Sequence, residues 1–346
     1  MARVLTPPGT SLRRVSRGES GGARTAPLFI GVDVGGTKVA AAVVDPGGAR
    51  EWVERPTALE SGERLLGGIE AAVREVVDSA GRPAAIGVGV PSQIEFATGR
   101  VLASVNIPLE GVPLRDELGR RLGTPVHVDN DGNCAALAEA NAAGTRQLVM
   151  LTLGTGVGGG LVIDGAIYRG ATGLGGELGH VVIDLDGPEC PGNCPNRGCI
   201  EALCSGLALE RDAGEIARAR PRSALGGIAS EHGRVTGRDA VRLARAGDTD
   251  ALALLEGFGH RLGVAIAVVM NAFEPERVVI GGGLSDAADL FFETARREAA
   301  ARALPTIVAR CYVSLARTGA AAGVIGAGLL AAQEHAASEG VALEVT

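Results

Sequence analysis

The chain has 346 residues, 46% of them hydrophobic and 21% charged, with a formal net charge of -7. At about 100–200 residues per domain, that length implies two domains and a sizeable apolar core. The acidic balance disfavours nucleic acid and anionic membrane surfaces as partners, because phosphate backbones are held by an excess of lysine and arginine. No apolar run approaches the roughly 20 residues of a membrane span without a glycine or a charge breaking it. Leu262 to Val269 is apolar but short and reads as part of a buried helix.

Residues 1–26 hold Pro7, Pro8 and five arginines against the single acid Glu19, and read as a disordered leader. The stretch lacks the apolar core of a secretory signal, although an arginine-rich, acid-poor start also fits a transit peptide. Without an export signal the protein is expected in the cytoplasm, where a disulfide framework is the less natural use of its six cysteines.

From Leu28 the pattern is strand, glycine turn, strand: LFIGVDV, GGT, KVAAAVVD, closed by the turn Asp45-Pro46-Gly47-Gly48. A helix follows, with Leu65, Ile69, Val73 and Val77 on one face. The strand AAIGVGV, a loop ending near Asn106, a short helix after Pro113 and the strand PVHVDN lead into a helix from about Gly132 to Ala143. The opening theme then returns. LVMLTLGTGVGGGLVIDGAIY, from Leu148 to Tyr168, repeats strand, glycine turn and strand about 120 residues after the first copy. Such self-similarity implies two related domains, each beginning with a hairpin whose tip carries a phosphate-sized glycine loop. Beyond Cys199 the chain is mostly helical, with a long stretch from Asp248 to Phe273. The strand RVVIGGG, a helix from about Asp286, the strand CYVSLA and a terminal helix AAAGVIGAGLLAAQ complete an α/β pattern.

The first tip, Gly31 to Lys38, reads GVDVGGTK, and Lys38 is the sole lysine among 33 basic residues. Arginine is a planar fork and lysine a compact point charge, so a site needing the latter resists the exchange. The second tip, Gly154-Thr155-Gly156-Val157-Gly158-Gly159-Gly160, formally matches G-x-G-x-x-G. A dinucleotide fingerprint needs a helix straight after the glycines, and here a strand follows. No G-x-x-x-x-G-K-[ST] is present, which leaves a hairpin tip whose backbone N–H groups form an anion nest.

In Val128-Asp129-Asn130-Asp131-Gly132-Asn133 a strand delivers a carboxylate to the start of a helix. Two readings stand: Asp131 caps the helix, or it is a general base beside an orienting amide. Between Gly175 and Glu201, His180, Cys190, Cys194 and Cys199 supply one imidazole and three thiols at short spacings. That donor set suits a closed tetrahedral zinc, structural because no position stays open, which orders the loop carrying Glu177 and Glu201. Cys204 is the rival fourth ligand.

The order DVGGTK, NIP, NDGNCAALAE, GTGVGGG, GGELGH, GCIE and VVIGGG resembles the ROK family (repressors, open reading frames and sugar kinases), most of all its bacterial glucokinases. The likeness runs from Leu28 to about Gln333. It implies the actin/hexokinase-like (ribonuclease H-like) α/β fold, two related domains around a cleft. The expected division is a leader over 1–26, a smaller N-terminal domain over 27–146 joined by the terminal helix at about 319–337, and a larger domain over 147–318 with the zinc loop 180–199.

The resemblance further implies ATP- and magnesium-dependent phosphorylation of a hexose, glucose first, at its 6-hydroxyl, by a homodimer or homotetramer. Asp131 is then the base, and Asn106, Asn130, Glu177, His180 and Glu201 hold the remaining hydroxyls. Asp33, Gly35, Gly36, Thr37 and Lys38 form one ATP-phosphate loop and Gly154, Thr155, Gly156, Val157 and Gly158 the other, with Gly282 and Gly283 near the adenosine. Phosphoryl transfer is mostly positioning and charge neutralisation, which fits Asp33 acting on magnesium through water. N-acetylmannosamine, mannose, fructose or allose are alternative sugars, and polyphosphate or ADP alternative donors. The family's sugar-responsive regulators are the other class, but they carry a helix-turn-helix for which 26 unpatterned residues leave no room.

Three departures stand out. The usual loop C-x-C-G-x-x-G-C has three residues here between Cys190 and Cys194, and Pro195 in place of glycine. Ser92-Gln93 follows Val90-Pro91 where the family commonly has glycine, and Gly132 stands where alanine is usual.

Overall fold

The computed structural model describes residues 26–340 apart from 46, 105 and 193, so the leader expected over 1–26 lies outside the described residues but for Ala26. The first half of the chain forms β1 (Phe29–Val34), β2 (Lys38–Asp45), β3 (Gly48–Pro56), α1 (Gly62–Ala80), β4 (Ala85–Val90), β5 (Ser92–Glu95), β6 (Arg100–Ser104), α2 (Leu114–Leu122), β7 (Val126–Asn130) and α3 (Asp131–Ala143). Next come β8 (Leu148–Leu153), β9 (Val157–Ile163), β10 (Ala166–Ile167), α4 (Ile200–Cys204), α5 (Gly206–Ala219), α6 (Ala224–His232) and α7 (Gly237–Arg245). The chain ends with α8 (Thr249–Phe273), β11 (Arg277–Gly281), α9 (Phe292–Arg302), α10 (Pro305–Val308), β12 (Tyr312–Leu315) and α11 (Ala322–Ser338).

These elements divide into two compact units. Among the described residues, one comprises 26–146, 164–174 and 320–340, the other 147–163 and 175–319. The stretch 164–174, expected with the second unit, groups with the first because Ile167 is buried against Leu137 and Leu330.

In the first unit the sheet runs β3-β2-β1-β4-β7, antiparallel from β3 to β1 and parallel from β1 to β7. Each residue of β4 is buried, as a central parallel strand requires. Helix α1 starts at Ser61, whose hydroxyl accepts from the Arg64 N–H, and buries Leu65, Ile69 and Val73. Strand β3, GAREWVERP, is not signalled by the sequence. It is an edge strand with no fully buried residue, so its alternation carries no apolar code. The short hairpin β5–β6 likewise fills what reads as a loop.

Helix α11 packs closely on β1 and β4. A Cβ at Gly31 would fall on the Val324 carbonyl oxygen, and one at Gly87 on that of Ala327. Since the obstruction is backbone, no rotamer relieves it. Gly87→Ala is therefore expected to lower stability by about 3 kcal/mol or more, the upper end of overpacking costs, as measured by urea unfolding.

In the second unit β9-β8-β11-β12 run in order, antiparallel for the first pair and parallel for the next two. This is the arrangement of β2-β1-β4-β7, so the repeated strand-glycine-strand pattern corresponds to a repeated topology. Asp248 caps α8 through the Ala251 N–H. Helix α8 is long and apolar enough to cross a membrane by length and composition, which the sequence reading did not register because glycine and charge interrupt the run. In this unit it is a core helix: Phe258, Leu262, Ile266 and Met270 are buried, and Phe258 meets Phe291 edge-on at 5.0 Å. The helix anticipated from Asp286 is a 3-10 segment over Gly283–Leu290, and α9 begins only at Phe292.

Candidate active site

The first glycine loop is a tight turn between β1 and β2. The Gly35 N–H donates to the Lys38 carbonyl at 2.9 Å, and the Thr57 hydroxyl braces the turn by donating to the Gly35 carbonyl at 2.7 Å. Gly36, Thr37 and Lys38 are exposed at its tip. Asp33 lies one strand residue before the turn, beside Gly89 of β4. Its carboxyl group rests against the first turn of α11, where a Cβ at Gly323 would overlap it. Burial, and after it the nearby negative charge of Asp131, push Asp33 up to about 6, with Lys38 pulling the other way. Lys38 itself donates to Glu54 of β3 at 2.6 Å, an exposed ion pair that the Trp52 indole N–H joins at 3.0 Å. The sole lysine is thus near Asp33 but partnered by an acid that the sequence reading did not consider.

At the end of β7 the two readings of Asp131 separate. The helix cap is Asn130, whose Oδ1 accepts from the N–H groups of Gly132 at 2.8 Å and Asn133 at 3.3 Å. Asp131 is the first residue of α3, so it does not cap the helix. Burial raises its carboxyl above the ordinary range, opposed by the Gly132 N–H that donates to it at 2.9 Å. Asn130 spends its carbonyl on the cap, while its amide donates to the Ser92 carbonyl at 3.4 Å and also hydrogen-bonds the Asp131 carboxyl, which partly offsets the effect of burial there. Asn106 is exposed in the turn after β6. That turn is held where the Ser104 hydroxyl donates to the Ile107 carbonyl at 2.8 Å.

The second glycine loop closes similarly, with the Gly154 N–H donating to the Gly156 carbonyl at 2.9 Å. The Gly206 N–H, at the start of α5, donates back to Gly154 at 2.8 Å. Gly154 and Thr155 line a cavity of about 900 Å³, with Gly283, Thr236, Arg238 and Arg242 around it. Gly282 holds a left-handed φ of 85° with its Cα against the backbone of Leu153, so the strand end and the loop meet without a side chain between them.

Glu201, at the start of α4, is not an idle acceptor. One carboxylate oxygen accepts from the Val157 N–H at 2.9 Å, and the other lies 3.6 Å from the Cys190 sulfur. A Cβ at either Gly156 or Gly192 would strike this carboxylate, so glycines of two loops make room for it. Glu177 is exposed just before the short helix Leu178–His180; its carbonyl accepts from the His180 N–H at 3.1 Å, and its carboxylate makes no hydrogen bond among the described residues.

The ligand atoms of His180, Cys190, Cys194 and Cys199 all lie within 4.8 Å of one another. The Cys190 sulfur is 3.8 Å from His180 Nδ1, close to the edge of about 3.6 Å that zinc bond lengths dictate in a tetrahedron. Burial, and then the two neighbouring thiols, push Cys190 up to about 12; a cluster of this kind needs a cation before it can hold several thiolates. Cys204 is not part of this group: it is fully buried in the apolar core of the unit. The donor set and spacing fit zinc.

The paired α/β sheets with glycine hairpins define the actin/hexokinase-like fold. The ROK family model matches residues 29–334. A glucokinase of Halalkalibacterium halodurans is 36% identical over 324 residues, 90% of this chain and 97% of that protein. An N-acetyl-D-glucosamine kinase of Aliivibrio salmonicida is 32% identical over 283 residues, 78% of this chain and 89% of that one. Among solved structures, a ROK hexokinase from Thermus thermophilus aligns at a TM-score of 0.76 and 36% identity, covering 89% of this chain and 98% of that one. A ROK glucokinase from Streptomyces griseus, in complex with glucose and AMPPNP, aligns at 0.69 and 32%, covering 88% and 99%. The chain belongs to the ROK family.

Proposed function

We propose that the protein is an ATP- and magnesium-dependent hexose kinase, with glucose the favoured substrate and its 6-hydroxyl the acceptor. The observation that carries this reading is Asp131, freed from capping by Asn130 and kept partly buried near Asp33, both carboxyls raised above their ordinary range. A base that must take a hydroxyl proton gains from a raised pKa, provided that it is still ionised at the working pH.

Asp131 accepts the proton of the hexose hydroxyl, the freed oxygen attacks the terminal phosphorus of ATP, and ADP leaves. Asn106, Asn130, Glu177 and His180 orient the sugar, while Glu201 acts through the Val157 amide. The N–H groups of the two glycine loops hold the phosphates, and the cavity beside Thr155 and Gly283 takes the nucleoside. Asp33 would hold magnesium through its water shell, and the ion would neutralise phosphate charge when bound with the nucleotide. His180 cannot serve both zinc and sugar through one nitrogen; its Nδ1 faces the cysteines, which leaves Nε2 for the hexose. Lys38 adds positive charge to the donor phosphates once it leaves Glu54, and as an exposed pair that contact costs little to break.

A panel of glucose, N-acetylglucosamine, N-acetylmannosamine, mannose, fructose and allose with ATP, ADP or polyphosphate, read by coupled assay, tests the assignment. Highest kcat/KM with glucose and ATP is expected; turnover of no hexose would refute it and favour a sugar-sensing regulator. N-acetylglucosamine is the second reading, supported by the kinase relative. The setting we infer is a homo-oligomer in the cytoplasm. We expect Cys194→Ser to lower zinc content below one per chain by mass spectrometry and to speed hydrogen exchange over 181–199. Unchanged zinc content would show that the four residues do not form the site.

A further inference from the structure

Arg169 lies 38 residues beyond Asp131 in the chain, in a segment to which no chemistry has been assigned. Its side chain is 17% exposed and meets β7, α11 and the β5–β6 turn at once. Nε donates to Asp129 Oδ2 at 2.6 Å, Nη2 donates to Glu334 of α11 at 3.1 Å, and the guanidinium lies 3.7 Å from the centroid of the Phe96 ring. Asp129 is 3% exposed. Its other oxygen, Oδ1, accepts from the Asn130 N–H and from Asn133 Nδ2, each at 2.8 Å. Those two donors belong to the residue before Asp131 and the residue two after it. The first turn of α3 is therefore pinned from beneath by a buried carboxylate, and that carboxylate is pinned by Arg169.

Stability is a weak reason for this arrangement. A buried ion pair loses in desolvation much of what it gains in attraction, and well-packed apolar residues usually serve the core as well. What an apolar pair cannot do is fix direction. The guanidinium is a planar fork that sends separate N–H groups to two carboxylates while its face covers a ring, a geometry that an ammonium group cannot reproduce. Phe96 lies between β5 and β6, and β6 leads into the turn that carries Asn106, so the same side chain also braces that side of the unit.

We propose that Arg169 is a positioning residue for phosphoryl transfer: through Asp129 it fixes the first turn of α3 and thereby aims the Asp131 carboxylate. This rests on the reading of Asp131 as the base. The test compares Arg169→Lys, Asp131→Asn and the double variant, with kcat and KM for glucose and for ATP measured alongside the urea unfolding midpoint. Arg169→Lys keeps the charge and loses the fork, so the midpoint should move little. Its kcat should fall about 10- to 100-fold, the range that a misplacement of about 1 Å costs, with KM for ATP within about twofold of the parent. In the Asp131→Asn background the same change should cost nothing further, because the group that it aims is gone.

Parental kcat in Arg169→Lys, or equal losses in both backgrounds, would overturn the proposal. Asp129→Asn, which keeps an acceptor for the Asn130 and Asn133 donors, is the second variant and should show the same kcat-only loss. Unfolding of both single variants would mark a purely structural pair and would also overturn it. Failure of the base assignment is separate: it would appear as parental turnover in Asp131→Asn alone.

Discussion

Asp131→Asn is expected to lower kcat by about 10²–10⁴ while leaving hexose binding and the fold intact, the usual loss when a general base is removed. The helix survives the change because Asn130 caps it, and the asparagine amide is nearly the size of the carboxylate it replaces. Calorimetric titration with glucose and a coupled assay would separate the two effects; parental turnover in the variant would sink the role of Asp131. A base works only when ionised. Since burial raises Asp131 above the ordinary carboxylate value of 3.8, the acid limb of the rate profile should lie above that of a free aspartate. Activity should rise with pH through that limb.

The second large effect concerns Asp33 and has two opposed halves. Asp33→Asn should reduce kinase activity by about tenfold or more, with a weakened response to magnesium, as loss of a carboxylate near a metal–phosphate group does. The same change should stabilise the protein at neutral pH. Asp33 is raised from 3.8 to about 6 in the folded chain, so folding disfavours its ionised form by ~3 kcal/mol at 1.36 kcal/mol per unit. Below pH 3.8 the carboxyl is protonated folded or unfolded, and the penalty is absent. Between 3.8 and 6 the folded state binds the extra proton, so stability falls as pH rises; above about 6 the penalty is fully present. The variant's advantage in urea unfolding should therefore be largest near pH 7–8 and shrink towards pH 4. An advantage independent of pH would show that Asp33 titrates as it does in the unfolded chain.

Much of this was legible before any coordinates because the informative features were local. Apolar runs interrupted by glycine mark β1–β2 and β8–β9, and a strand delivering Asp131 to a helix start is a contiguous pattern. The four donors at His180, Cys190, Cys194 and Cys199 lie within 20 residues of one another, so spacing alone groups them. Partnerships across long stretches of chain left no such trace. Nothing around Lys38 announces Glu54, because β3 is an exposed edge strand whose charges read as a solvated loop. Arg169 finds Glu334 across 165 residues and Asp129 across 40. Only the assembled sheet brings them together. The assignment of the cap to Asn130 over Asp131 was also beyond the sequence, since both residue types suit that position and only the backbone shows which one precedes the helix.

The packing of α11 on β1 and β4 bears on how the chain is made. The strand that carries Asp33 and the strand that leads into Asp131 leave the ribosome early, yet the helix that fits against Gly31 and Gly87 is encoded some 290 residues after β1 begins. Until Val324 and Ala327 arrive, two glycine-faced strands have no cover, and the surface they expose is apolar. The second unit, whose stretches 147–163 and 175–319 both precede α11, can be complete while the first is still waiting. Synthesis thus closes the molecule in reverse of its reading order, and a chain halted before residue 320 would present an open sheet to chaperones and proteases.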